Sequence, residues 1–315
     1  MVLTAGLGTR LRPLTDVRAK PAMPVAGEPM IRRIVAWLVS QGVDDLVLNL
    51  HHRPETLAAV LGDGRDLGAR VRYSWELPRI LGSAGGPRLA RTIVGADPFF
   101  IVNGDTLTDV DLVHLANAHA ASGALVSLAL MPNREFLRYG GVQLDAYGRV
   151  TGFIRRGPSA AGSSHYIGVQ VVAGRVFDGV ELGETASSIG GVYDALIASR
   201  PDSIRGVVSD RAFYDVGTPA DYWRTSQALS AASGASPVAQ GFSPAAGSLI
   251  GRGSRIDASA RVTQSILWDD VDVGAGVVLD ECIVTDGVRV PAGAIYQRSI
   301  LINSDDELVV TPLVL

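Results

Sequence analysis

In the C-terminal part of the chain apolar residues recur every six positions, at Ile250, Ile256 and Val262 and then, in a shifted frame, at Val271, Val277, Ile283, Ile295 and Leu301. Hexapeptide spacing is the mark of a parallel β-helix, in which each short strand stacks on the one a coil earlier. Arg289 interrupts the series, and Val288 beside it can fill the slot. Coils this few do not easily stand alone, so the tail is expected to pack on the rest of the chain or on another subunit.

The first two thirds follow a different rule. Runs rich in β-branched residues (2–4, 46–50, 71–73, 99–102 and 124–130) alternate with helical patterns, the signature of a parallel sheet covered by helices. Met30, Ile31, Ile34, Val35, Leu38 and Val39 keep helical spacing, with Gly42 as a stop. Pro54 opens a second helix through Leu61, and a third runs to Ser122 with Asp109 or Asp111 as its cap. The strand ahead of the first glycine loop is very short. A stretch dense in Ser, Ala, Gly and Pro reads as a linker over 229–247. It separates an α/β domain (1–228) from the hexapeptide domain (248–315).

Hydrophobic residues make up 47% of the 315 and charged residues 19%, a globular composition. A net charge of −4 with scattered Lys and Arg argues against nucleic acid as a partner. The single Cys282 cannot form an internal disulfide, and Cys/His clusters with metal spacing are absent. No leader pattern and no apolar run of about 18 residues is found, so a soluble cytoplasmic protein without membrane association is expected.

The sharpest local signal is Gly6-Leu7-Gly8-Thr9-Arg10-Leu11-Arg12-Pro13-Leu14-Thr15, followed by Lys20-Pro21 and by Pro24-Val25-Ala26-Gly27-Glu28-Pro29. Glycines after a first strand let backbone N–H groups approach a phosphate, and Arg10 and Lys20 add charge where a triphosphate would lie. Leu11 stands where a dinucleotide fingerprint needs its third glycine, and the P-loop Lys and Ser/Thr are missing. The string from Thr4 to Ile31 resembles the opening signature of the sugar-1-phosphate nucleotidyltransferases, or nucleotide-sugar pyrophosphorylases. The resemblance extends to about residue 225, and the tail resembles the short left-handed β-helix of mannose-1-phosphate guanylyltransferases. It implies a doubly wound, mixed but mostly parallel Rossmann-like sheet, followed by a short C-terminal left-handed parallel β-helix.

By that resemblance Ala5, Gly6, Gly8, Thr9 and Arg10 surround a nucleoside triphosphate and Lys20 lies near the phosphates undergoing exchange. Asn103-Gly104-Asp105 ends a strand, where a carboxylate faces the crevice; the family carries a Mg²⁺-binding Asp at this motif. Asp215, in Asp215-Val216-Gly217-Thr218-Pro219, matches the later Asp-x-Gly-Thr-Pro motif and is the second expected metal ligand. Two such carboxylates have a physical purpose: both substrates are anions, and at ~4 Å two unit charges repel by about 4 kcal/mol in a protein-like medium. A Mg²⁺ ion would offset that repulsion and polarise the α-phosphate for in-line attack by the sugar 1-phosphate.

Gly82, Ser83 and Ala84 match a segment whose backbone lies against the nucleobase, while Gly140, Gly168 and Arg156 align with sugar-phosphate positions. Where relatives have Phe-x-Glu-Lys-Pro this chain has Phe153-Ile154-Arg155-Arg156-Gly157, losing a carboxylate that often binds sugar hydroxyls. Tyr166-Ile167 likewise replaces Asn-Ala. The histidines read as solvated or capping, with His165 unassigned. Guanylyl transfer to mannose 1-phosphate is the expected activity, with thymidylyl or uridylyl transfer to glucose 1-phosphate or N-acetylmuramate 1-phosphate as alternatives. A catalytically silent nucleotide-sugar sensor is the rival from another class. Acyl transfer by the tail is disfavoured because no histidine follows His165. The β-helix offers a surface for a homo-oligomer.

Overall fold

The structure, a computed structural model, describes residues 1–233, 247–305 and 307–315. It divides into two compact units that are discontinuous in sequence: Met1–Gly6 with Ile31–Tyr214, and Leu7–Met30 with Asp215–Leu315. Of the expected linker, residues 229–233 are the last turn of helix Pro219–Ser233, as their Ala content allows, and 234–246 lie outside the described residues. No described helix is long and apolar enough to cross a membrane.

The first unit is built on a nine-stranded mixed sheet. Val2–Leu3 lies at its centre, parallel to Asp45–Leu50 on one side and Phe99–Asn103 on the other, and Arg70–Trp75 extends the parallel part. Ser164–Val172 then runs antiparallel to Phe99–Asn103 and also joins Val126–Pro132 and Gly141–Leu144. Val150–Ile154 completes one edge, and Ile204–Val208 pairs in parallel with Val126–Pro132. Buried Val47, Ile101, Leu128, Leu130, Val142 and Phe177 belong to one apolar cluster. Helices Met30–Ser40 and Pro54–Leu61 form where periodicity places them. Asp111, not Asp109, caps Leu112–Ser122 by accepting the His114 N–H, while Asp109 accepts from Ala212.

A buried polar chain ties the carboxyl ends of the central strands together. The Thr4 N–H donates to Asn49 Oδ1 at 2.7 Å, and the Thr4 hydroxyl to the Asn49 carbonyl. Asn49 Nδ2 donates to Glu76 Oε1 at 2.7 Å, and Glu76 Oε2 accepts the Leu81 N–H at 2.6 Å. Glu76 is fully buried, so its carboxyl group depends on these protein donors.

In the second unit the hexapeptide region folds as a short parallel β-helix of the left-handed hexapeptide type. Its three parallel ladders run through Leu249–Ile250, Ile266–Leu267 and Ile283–Val284; through Arg255–Ile256, Asp272–Val273 and Arg289–Val290; and through Arg261–Thr263, Val278–Asp280 and Ile295–Gln297. Glu307–Pro312 returns antiparallel along Ser299–Ser304. Stacked residues are 17 apart, as in the Cys282 N–H to Ser265 Oγ bond. One corner per coil is therefore a residue short of a strict hexad. Gln264, Glu281 and Arg298 make that corner with positive φ, although non-glycine residues pay about 1–2 kcal/mol there. The short corner explains the frame shift in the sequence. It also overturns one assignment: Tyr296 occupies the inward position, and Ile295 is 74% exposed.

Removing the Glu76 carboxylate would strand two buried donors. Glu76→Ala is expected to cost about 3 kcal/mol of unfolding free energy, measured by urea denaturation against wild type; a loss under 1 kcal/mol would contradict the network.

Candidate active site

The candidate residues fall on both units, and each unit assembles its own group. In the second, Gly8 sits at φ 61° ahead of a 3-10 turn, Thr9–Leu11, whose Leu11 N–H returns to the Gly8 carbonyl at 2.8 Å. A Cβ on Gly8 would lie 2.7 Å from Thr15 Cγ2 and 3.4 Å from Lys20 Cβ. Glycine thus lets the loop fold onto the stem of Lys20, which is only 9% exposed at the start of the turn Lys20–Ala22. Thr9 and Arg10 are exposed.

Gly217 marks a second cradle. A Cβ there would lie 3.1 Å from Asp215 Oδ2, 3.3 Å from Asp221 Oδ2 and 3.4 Å from Arg10 Nη1. Two expected residues, Arg10 and Asp215, are thereby brought together with a third group that sequence reasoning missed. Asp221 was readable as the partner of Thr218 at the start of helix Pro219–Ser233. The Thr218 hydroxyl donates to Asp221 Oδ2 at 2.8 Å and accepts the Asp221 N–H at 3.2 Å, a variant of the capping box.

In the first unit Ala5 is buried and Gly6 exposed just beyond Val2–Leu3, with open space where a Gly6 Cβ would be. Asp105 follows strand Phe99–Asn103, and the Gly104 N–H is fastened to the Leu3 carbonyl at 2.8 Å. Gly168 supports that turn from the neighbouring strand. At φ 80° it sits within a register break between Tyr166 and Gln170, and its Cβ would meet Thr106 Oγ1 at 2.4 Å and Asn103 Nδ2 at 2.8 Å. Burial raises the Tyr166 phenol well above its ordinary value, and nearby Asp105 pushes it the same way, so Tyr166 stays neutral.

The glycine-rich segment after Leu81 is the start of helix Gly82–Val94. The Ala84 and Gly85 N–H groups bond the Ala186 carbonyl at 2.9 and 3.3 Å, and Ser83 Oγ accepts the Ser188 N–H. A Cβ on Gly82 or Gly85 would run into the carbonyl of Ala186 or Glu184, at 2.7 and 2.3 Å. These glycines let the 184–186 segment lie directly on the helix start.

Gly140 neighbours the end of strand Val150–Ile154: its Cβ would be 3.1 Å from the Ile154 carbonyl and 4.0 Å from the Arg156 nitrogen. Half-buried His165 stacks on Tyr139 with ring centres 4.2 Å apart, its Nδ1 is 3.4 Å from the Gly140 carbonyl, and Phe213 packs edge-on at 5.3 Å. His165, left unassigned by sequence, thus joins the Gly140 corner. Arg155 and Arg156 are exposed, without an ion pair among the described residues. Of the other histidines, His51 meets the Glu76 carbonyl and His114 is exposed, whereas His119 is neither solvated nor capping but buried beside Ser127, and burial lowers its imidazole pKa.

Gly168→Ala would force a side chain into the left-handed region and against Asn103 and Thr106. A stability loss of about 2 kcal/mol is expected by denaturant titration, with turnover falling further than stability explains because the Asp105 turn must move.

Comparison with known proteins agrees with this architecture. The Nucleotidyl transferase family model matches residues 1–232, and a GlmU-like C-terminal hexapeptide model matches 219–296. A mannose-1-phosphate guanylyltransferase from Mycobacterium tuberculosis is 30% identical over 299 residues, covering 95% of this chain and 82% of that protein. An N-acetylmuramate alpha-1-phosphate uridylyltransferase from Neisseria meningitidis is 33% identical over 188 residues, covering 59% and 80%. The crystal structure of HddC from Yersinia pseudotuberculosis superposes with a TM-score of 0.61 at 20% identity, over 72% of this chain and 97% of that one, a likeness of fold. The chain belongs to the nucleotidyl transferase family, the sugar-1-phosphate nucleotidyltransferases.

Proposed function

We propose that this chain joins GTP to mannose 1-phosphate, or to a closely related sugar 1-phosphate, and releases pyrophosphate. The observation that carries the reading is the mannose-1-phosphate guanylyltransferase likeness over 95% of the chain, sheet and β-helix alike. In the reaction a phosphate oxygen of the sugar 1-phosphate bonds to the α-phosphorus as the bond to the bridging β-phosphate oxygen breaks. No protein nucleophile is needed.

Each residue is assigned by what it can do in its own surroundings. Arg10 offers a planar fork of donors to phosphate oxygens. Lys20, with its stem packed on Gly8, offers a point charge whose position is restricted by burial. Both groups favour the charge that develops on departing pyrophosphate. Ala5, Gly6, Gly8 and Thr9 supply close backbone approach, and Gly82, Ser83 and Ala84 line the nucleobase side. Gly140, Gly168 and Arg156 serve the sugar phosphate.

Mg²⁺ fits the carboxylates available. The ion takes oxygen donors and is commonly held by one or two carboxylates plus substrate phosphates. No group of three or more His, Cys, Asp or Glu that could hold a metal is found among the described residues, whereas Asp215 and Asp221 present oxygens around Gly217. Asp105 and Asp215 are the proposed ligands, and the bound ion would neutralise phosphate charge. Asp105→Asn should therefore abolish Mg²⁺-dependent turnover while leaving the melting temperature within a few degrees of wild type. Unchanged turnover would remove Asp105 from the metal site.

Arg155 favours a second reading of the sugar. It puts donors where relatives carry an acceptor, which suits a substrate with an anionic substituent such as an N-acetylmuramate 1-phosphate. Pyrophosphate release over nucleoside triphosphates against mannose, glucose, N-acetylglucosamine and N-acetylmuramate 1-phosphates decides it. GTP with mannose 1-phosphate is the expected pair. UTP with N-acetylmuramate 1-phosphate would transfer the assignment, and silence with triphosphate binding retained would identify a sensor.

A further inference from the structure

The segment Leu7–Met30 carries Arg10 and Lys20 but has little structure of its own: short 3-10 turns, the single helical turn Leu14–Val17 and a hairpin of two-residue strands, Pro24–Val25 and Glu28–Pro29. Pieces this short do not hold a conformation without outside support. Two fastenings to the rest of the second unit supply it, one on each side of the Lys20–Ala22 turn.

The first is Arg18, two residues before Lys20. Its side chain is 11% exposed, and Nε and Nη2 donate to the two oxygens of Asp286, each at 2.6 Å, while Nη2 also reaches Asp269 Oδ2 at 2.8 Å. The guanidinium lies 5.3 Å from the centre of the Trp268 ring. Burial opposes its charge, and the bonds to Asp286 and Asp269 more than offset that, holding Arg18 above its ordinary value. Asp269 and Asp286 occupy the same place on successive coils and are bonded to one another, the Asp269 N–H donating to Asp286 Oδ1 at 3.1 Å. The second fastening follows the turn. Buried Trp268 donates through Nε1 to Tyr222 Oη at 2.8 Å, and Tyr222 donates to the Pro24 carbonyl at 2.6 Å.

We propose that Arg18 is a positioning residue for phosphoryl transfer, and that the β-helix, through Asp269, Asp286 and Trp268, is the part of the chain that holds Lys20 at its working position. This rests on the nucleotidyl-transfer reading above for its effect on rate, though not for its effect on the loop. The tail is on this view a component of the triphosphate-binding apparatus.

The test uses the full chain. Arg18→Met should lower kcat on the productive substrate pair by about 10- to 100-fold, the range expected when a charged group is displaced by ~1 Å, with KM for the sugar phosphate within twofold. Hydrogen exchange should quicken at the Ala22 and Met23 amides, which bond to the Ala19 and Lys20 carbonyls, and stay unchanged in Ile266–Leu267 and Ile283–Val284. Asp286→Asn should act in the same direction, and the double variant should be no worse than Arg18→Met alone. Wild-type kcat in Arg18→Met would overturn the proposal. So would loss of protection throughout the β-helix in step with activity, or additive effects in the double variant. Should Arg18→Met fail to fold, Asp269→Asn and Asp286→Asn, which keep side-chain shape, are read the same way. A wild type silent on every pair would remove the function reading instead, and exchange at Ala22 and Met23 would then decide the positioning alone.

Discussion

Everything placed at the carboxyl ends of the central strands depends on one requirement: a fully buried carboxyl group must find donors. Glu76 finds them in Asn49 and in the Leu81 N–H, and Asn49 in turn takes the Thr4 N–H. That chain fixes the point at which the first loop leaves Val2–Leu3 and the point at which helix Gly82–Val94 begins. It also explains a glycine that no ligand calls for. A Cβ on Gly86 would lie 2.4 Å from Glu76 Oε1, so the helix can pass over the carboxyl group only with glycine there. In the low-dielectric interior such a fully satisfied network is rigid, and rigidity suits the surface proposed to meet the nucleotide.

The second unit meets a similar demand with charge. The loop over 7–30 buries Leu11, Leu14, Met23 and Val25, and two polar fixed points, the Arg18 pair and the Tyr222 hydroxyl, set its register. Both lie against a scaffold whose own regularity comes from the 17-residue coil. Inside it Val273 and Val290 stack, as do Leu267, Val284 and Leu301, each buried aliphatic side chain contributing about 1.5–3 kcal/mol. The Ser265 hydroxyl accepts the Cys282 N–H one coil on, so the inner corner is satisfied without water. Cys282 itself is a packing residue, its thiol pushed up by burial.

What the sequence disclosed follows the range of the interactions involved. The parallel strands and the helices Met30–Ser40, Pro54–Leu61 and Leu112–Ser122 were legible because periodicity is a local property. Helix Gly82–Val94 was hidden by Gly82, Gly85, Gly86 and Pro87, residues of poor helix propensity that tertiary approach requires. Strand Ser164–Val172 escaped because the register break at Gly168 interrupts its alternation. At the candidate site, Arg10, Lys20, Asp105 and Asp215 stood out within strings of neighbours. Thr4, Asn49 and Glu76 carried no local signal, and the partners of Arg18 lie 251 and 268 residues away. The hexad frame is legible past the shortened corner at Gln264, where Val271 and Val277 point inward, but not past the one at Glu281, after which Tyr296 and not Ile295 is the inward residue.

Reaction class and substrate choice are written in different parts of the chain, and only the second departs from the family pattern. Phosphoryl exchange between two anions asks for fixed cations and oxygen ligands, and Arg10, Lys20, Asp105 and Asp215 match that pattern. The corner around Gly140, proposed to hold the sugar phosphate, asks for complementarity to one ligand. An arginine has donors and no acceptor, so Arg155 in place of a carboxylate would reverse which ligand groups a sugar pocket at this segment can satisfy. Hydroxyls that must donate lose a partner, while phosphate or carboxylate oxygens gain one. Arg155 is exposed, so the discrimination it offers comes from charge complementarity rather than from burial. A change of this kind can redirect substrate choice without touching the groups that perform the transfer, which is how one fold comes to serve many sugar phosphates.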